Sequence, residues 1–171
     1  MLGLIALAML SAVTIFPLPS VSAQTTPDEA GGISPSLSVA LRSTQIIGIQ
    51  SPSGEPSPKK AEAQIVFYLT AQGQDIYIPF PQGITLNTNG EFTAWAILIN
   101  EPGKLVDGLL VIPPGQGVLI TALGTITTPK AGFKGMRIDK IRWGATPNES
   151  NARVLNTRKI LKTPQIYLYA Q

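Results

Sequence analysis

Beyond Pro35 the chain lacks the 3.6-residue apolar periodicity of a helix, and prolines and glycines, 15 and 16 in the whole sequence, recur every few residues. Between these breakers apolar and polar residues alternate. A strand buried on one face needs that period of two, whereas a helix needs an apolar stripe at i, i+3 and i+4. The chain is therefore expected to be all-β, a sandwich or barrel of short strands.

The first expected strand is Leu37 to Gln50, with Leu37, Val39, Leu41, Ile47 and Ile49 on one face. Residues 51–60 (SPSGEPSPKK) form a charged Pro/Ser loop that no strand could contain. Ala63 to Ala71 alternates, with Ala63, Ile65, Phe67 and Leu69 inward, and Asp75 to Phe80 follows with Ile76, Ile78 and Phe80 aligned. Phe92 to Ile99 is nearly all apolar and reads as a central strand covered on both sides. Leu105 to Ile112 stops at Pro113-Pro114-Gly115, Val118 to Thr127 alternates again, and Gln165 to Ala170 closes the chain. In Met136 to Trp143 the inward parity changes between Ile138 and Ile141, which predicts a bulge. Strands at this spacing suit a Greek-key sandwich over residues 36–171.

Ahead of them, residues 1–16 (MLGLIALAMLSAVTIF) are uncharged and apolar, Pro17 and Pro19 break any helix, and Val21-Ser22-Ala23 supplies small residues before Gln24. This pattern describes a secretory signal peptide over residues 1–23, cut between Ala23 and Gln24. The competing expectation is a retained anchor, the chain's one contact with a membrane. It is disfavoured because spanning takes roughly 20 apolar residues. Residues 24–35 (QTTPDEAGGISP) form a flexible linker.

Four segments carry a resemblance. Thr70 to Pro79 (TAQGQDIYIP) resembles the "TA-G-D-YIP" turn of an immunoglobulin-like module found in exported, uncharacterised bacterial surface proteins. Val111 to Gly117 is similar to that module's "IPxG" turn, Gly132 to Trp143 to its "G-x-R-x-x-I-x-W" strand, and Lys162 to Leu168 to its closing "TP-x-x-L" strand. The likeness spans Ile65 to Leu168. It implies an antiparallel immunoglobulin-like β-sandwich preceded by an N-terminal signal or hydrophobic helix, and it supplies no catalytic residues. The turn itself needs no ligand: Gly73 permits the reversal, Asp75 can accept amide bonds, and Ile76 and Ile78 enter the core.

Cysteine and histidine are both absent. A disulfide framework, a thiolate nucleophile, a His-based zinc site and a Ser-His-Asp triad are thereby excluded. Paired carboxylates remain the one enzymatic route, yet Glu55, Glu91, Glu101, Asp107 and Glu149 are scattered, and the adjacent Asp28-Glu29 sits in the linker. Ser57, Lys59 and Lys60 are close in sequence but lie in a Pro-broken loop. No D-x-[DN]-x-[DN]-G run is present, although Asp75, Asn87, Asn89 and Asp107 could meet at one end of a sandwich. Gly115-Gln116-Gly117 precedes a strand and is no dinucleotide fingerprint, and Asn148-Glu149-Ser150 spells a glycosylation sequon. No enzymatic activity, cofactor or metal is expected.

Charge is more informative. Residues 1–129 carry four basic and eight acidic side chains, whereas residues 130–171 carry nine basic and two acidic. The nine are Lys130, Lys134, Arg137, Lys140, Arg142, Arg153, Arg158, Lys159 and Lys162, the candidate contacts for an anionic polymer. Arg137 has the parity opposite to Met136 and Ile138, and residues 151–162 read as a polar connection. Nucleic acid is disfavoured, since no aromatics interleave these cations. Trp95 and Trp143 read as packing, while Tyr167 and Tyr169 share one face and would form a contact patch if exposed.

The expectation is a secreted or cell-surface, non-enzymatic β-sandwich that makes structural or adhesive contact with an anionic envelope polymer or a surface protein. The alternative is a subunit of an extracellular fibre or pilus-like filament that self-associates through sheet edges.

Overall fold

The computed structural model describes residues 20–22, 34–51, 55–100 and 102–171. Residues 1–19 and the expected cleavage point at Ala23 and Gln24 lie outside the described residues, as does most of the linker. Within them the alternating segments become thirteen strands: β1 (Ser20–Ser22), β2 (Ser36–Ile49), β3 (Lys60–Gln72), β4 (Ile76–Pro79), β5 (Ile84–Thr88), β6 (Glu91–Ile99), β7 (Lys104–Val106), β8 (Leu109–Ile112), β9 (Gly117–Thr127), β10 (Gly132–Lys134), β11 (Met136–Trp143), β12 (Arg153–Asn156) and β13 (Ile166–Leu168). The helical content among the described residues is one 3₁₀ turn, Pro147–Glu149. None of it is long and apolar enough to cross a membrane.

The longest strands make one five-stranded sheet in the order β1-β2-β3-β9-β6. Three smaller sheets, β4-β8-β7, β5-β11-β12 and β10-β13, complete the fold, and every strand pair is antiparallel. The all-β expectation holds. Alternation explains the core: Ile65, Phe67 and Leu69 of β3 and Ile120, Ala122 and Ile126 of β9 are buried at every second position. Ile76 and Ile78 of β4, Leu110 and Ile112 of β8, and Met136, Ile138, Ile141 and Trp143 of β11 belong to the same buried cluster. Gly73 takes a positive φ of 84° at the reversal before β4, as its turn requires. Asp75, however, accepts from the Tyr77 hydroxyl at 3.5 Å.

Several expectations are corrected. Ile47 and Ile49 do not share a face with Leu37. The β2–β3 register shifts between Leu41 and Ser43, which turns Thr44 and Ile46 inward and leaves Ile47 53% exposed. Phe92 to Ile99 is not a central strand either. As β6 it is the last strand of its sheet, beside β9, with Trp95 56% and Leu98 48% exposed.

The expected strand Leu105 to Ile112 is two strands, because Asp107 (φ 52°) and Gly108 (φ 77°) form a tight hairpin turn between β7 and β8. Two left-handed residues in succession match the right-handed twist of the strands they join. The supposed polar connection after Asn151 contains β12, whose Leu155 is buried opposite Ile141. Finally, β5 is not among the expected strands, because ITLNT is short and alternates only weakly, although Gly83 and Asn89-Gly90 bound it.

Candidate polyanion-contact face

The expected bulge in β11 is present and builds the face. Its pairing with β5 shifts between Ile138 and Lys140, so Asp139 is the extra residue. Met136 and Ile138 before it, and Ile141 and Trp143 after it, all turn into the core. Arg137, Lys140 and Arg142 consequently point away from the five-stranded sheet. Beside them stand Asn87 and Thr85 of β5 and Val154 and Asn156 of β12.

The chain after β12 then folds back onto β11. Thr157 donates its amide to the Asp139 oxygen at 3.0 Å, and the Ile138 amide donates to the Leu161 oxygen at 2.9 Å. Lys162 pairs with Arg137 in an isolated bridge. This return brings Arg158, Lys159 and Lys162, all exposed, to the side that already carries Arg137, Lys140 and Arg142. A depression of about 630 Å³ opens among Thr85, Asp139, Lys140, Asn156, Arg158, Lys159 and Ile160.

One acid sits in that depression, and it is already engaged. Asp139 Oδ1 accepts from Arg137 Nε at 2.6 Å, and its Oδ2 accepts from Asn87 Nδ2 at 2.8 Å. Partial burial pushes this carboxyl up. The Asn87 and Arg137 hydrogen bonds and the charges of Arg137 and Arg158 together outweigh that and hold it below the usual aspartate range. Lys140, Arg142, Arg158, Lys159 and Lys162 have no carboxylate partner among the described residues.

Three of the nine candidates lie elsewhere. Arg153 pairs opposite Trp143 on the inner side of its sheet, where its guanidinium stands 5.0 Å from the Trp143 ring centroid. It also donates to the Pro35 oxygen at 2.9 Å, so it serves packing. Lys130 lies just past β9, and Lys134 is on the opposite side of β10 from Phe133, beside Ile166.

The other candidate clusters do not form. Ser57 Oγ donates to Gln50 Oε1 at 2.6 Å while Lys59 pairs with Glu55, so no serine–lysine pair forms. Asn87 is engaged by Asp139, and Asn89 binds the Phe133 oxygen and the Gly135 amide. No group of three acids gathers among the described residues.

The contact patch expected of Tyr167 and Tyr169 is present, with one ring more than the sequence suggested. Tyr167 and Tyr169 do share an exposed face, and Phe133 joins them from β10 in direct register with Tyr167. The Phe133 and Tyr167 ring centroids are 5.5 Å apart at 83°, and those of Tyr167 and Tyr169 are 5.3 Å apart at 78°. The clue was present in Gly132-Phe133-Lys134, a lone phenylalanine flanked by residues of the opposite parity. No protein-family model, curated protein or solved structure matches the chain.

Proposed function

We propose that this is an exported, non-enzymatic β protein of the cell surface or envelope that attaches to an anionic envelope polymer through the outer face of β5, β11 and β12. One observation carries the reading: Arg137, Lys140, Arg142, Arg158, Lys159 and Lys162 stand on one side, and the acid among them is neutralised by Arg137. Cations held together on a rigid strand and a pinned loop attract a polyanion more strongly than the same charges spread over a surface. Export rests on the apolar leader and its small-residue cut site. An immunoglobulin-like sandwich is the finer architecture proposed, supported by antiparallel sheets that share one buried core and by the four motifs named above.

The test is retention on a sulfated or phosphorylated matrix. The full chain is expected to bind at low salt and to elute as salt screens the contact. The pair Arg158→Glu and Lys159→Glu should elute markedly earlier. Flow-through at low salt, with the fold intact, would remove the reading.

A fibre subunit is the second reading, favoured by the edge of β2. Among the described residues only β1 pairs there, at Ser38 to Ala40, so Leu41 to Ile49 keep their outer backbone groups open. Light scattering separates the two: a fibre subunit grows with concentration, and a surface module does not.

A further inference from the structure

The aromatic row and the cationic face both turn outward from the core, on β13 and β11, which each touch β3 of the five-stranded sheet. Ile166 and Leu168 of β13 turn inward, Leu168 fully buried, so Tyr167 points away from the five-stranded sheet, as Arg137 and Lys140 do. Tyr167 follows Lys162 by five positions, a span of at most about 18 Å even if fully extended. The rings are bare: Phe133 is 62% exposed, Tyr167 42% and Tyr169 38%. They are also fixed, because each packs edge-to-face on the next. Rigid, amphipathic rings give contact area at low cost in conformational entropy.

We propose that the anionic polymer is an acidic glycan, whose sugar rings lie on Phe133, Tyr167 and Tyr169 while its acid groups reach Lys140, Arg158, Lys159 and Lys162. The inference rests on the polyanion reading above and names the class of polymer. The apolar faces of sugar rings pack on aromatic side chains, and the two tyrosine hydroxyls offer hydrogen bonds to sugar hydroxyls.

Single-stranded nucleic acid fits the arrangement less well. Its successive bases stack face to face on aromatic side chains, and so need open ring faces presented one after another. Here the rings form their own row, each turned roughly a right angle to its neighbour, with the cations gathered beside β11. A chain of sugars, whose rings do not stack on one another, matches that edge-to-face row.

The experiment measures equilibrium binding of the full chain, at low salt, to alginate, neutral dextran, polyphosphate and oligo(dT). Alginate is expected to bind more tightly than polyphosphate of equal charge, and dextran more weakly than either. The double substitution Phe133→Ala, Tyr167→Ala should weaken alginate binding about tenfold, the factor one good ring contact supplies. Polyphosphate binding should stay as it was. Because both side chains are exposed, thermal melting should change little. Phe133→Leu, Tyr167→Leu keeps the apolar bulk without the ring faces and should lose the same factor.

Alginate and polyphosphate binding equally, or an alginate preference that survives both double substitutions, would overturn the glycan assignment while leaving the cationic face standing. Tightest binding to oligo(dT), lost with the rings, would overturn it in favour of nucleic acid. Failure to bind any of the charged polymers would remove the polyanion reading itself.

Discussion

The buried hydroxyl of Thr157 donates to the backbone oxygen of Ile138 at 2.7 Å, which fastens the return loop to the strand beside the bulge. The Thr157 oxygen in turn accepts from the amides of Ile160 and Leu161, both at 2.9 Å. One side chain thus joins the strand that carries Lys140 to the loop that carries Arg158 and Lys159.

Thr157→Val keeps the shape and removes the hydroxyl. Leaving the Ile138 oxygen short of a partner should cost about 1–3 kcal/mol. The loop should loosen as well, so the variant is expected to elute from a polyanion matrix at lower salt. Thermal melting and the elution gradient check both halves. Unchanged values in each would show that the loop is held without this bond.

Trp143 is fully enclosed, with its Nε1 unpartnered and Arg153 over its ring. Trp143→Ala should cost about 3–5 kcal/mol, as truncation of a large buried aromatic does. Trp143→Phe should cost far less, because the smaller ring also removes a buried donor that has no acceptor. Denaturant midpoints of the two variants distinguish lost volume from lost polarity. Equal midpoints would contradict this account.

Asp139 predicts a dependence on acid. Its folded pKa lies below the ordinary value, so its contribution to stability is complete above that value, about 3.9, and fades as pH falls through the lowered one. Asp139→Asn should therefore flatten the fall in melting temperature below about pH 4 and leave neutral pH modestly less stable. The side chain is partly exposed, so solvent screens the effect and keeps it small. A melting series from pH 2 to pH 7 measures it. Parallel curves for the two proteins would show that Arg137 and Asn87 do not shift this group.

Gly108 has a φ of 77° with open space where a side chain would go. Gly108→Ala should thus cost only backbone strain, about 1–2 kcal/mol for a left-handed residue. Gly108→Asn, which tolerates that conformation, should recover much of it. Melting of the pair tests the turn, and identical loss in both would show that space, not conformation, decides.

Some of this molecule was legible because its physics is local. The all-β character, the inward parity of Ala63 to Leu69 and the irregularity between Ile138 and Ile141 follow from which residues neighbour which. Parity beyond an unmarked bulge was not legible: Arg42 resembles any polar strand residue, yet the register shift beside it sends Ile47 and Ile49 to water. Edge or centre is equally hidden, since the apolar run of β6 has the composition of a covered strand while its position is decided by β9. The Asp107-Gly108 turn was readable from turn chemistry alone.

The site divides in the same way. The count and sign of the C-terminal charges are in the sequence. That six of them converge depends on the fold-back at Thr157, and that Arg153 turns inward to Trp143 depends on the pairing of β11 with β12. The meeting of Phe133 with Tyr167 likewise needs the β10–β13 pairing, which no local pattern announces.

Without Asp139, the strand from Met136 to Trp143 would run M-R-I-K-I-R-W, an unbroken exchange of apolar and cationic residues. The insertion therefore disturbs neither set and adds a single carboxylate between them. At this one point, net charge on the face is tuned by the length of the polypeptide instead of by exchange of a side chain. Excision of that residue would leave the hydrophobic interior in phase while releasing Arg137 to the surface.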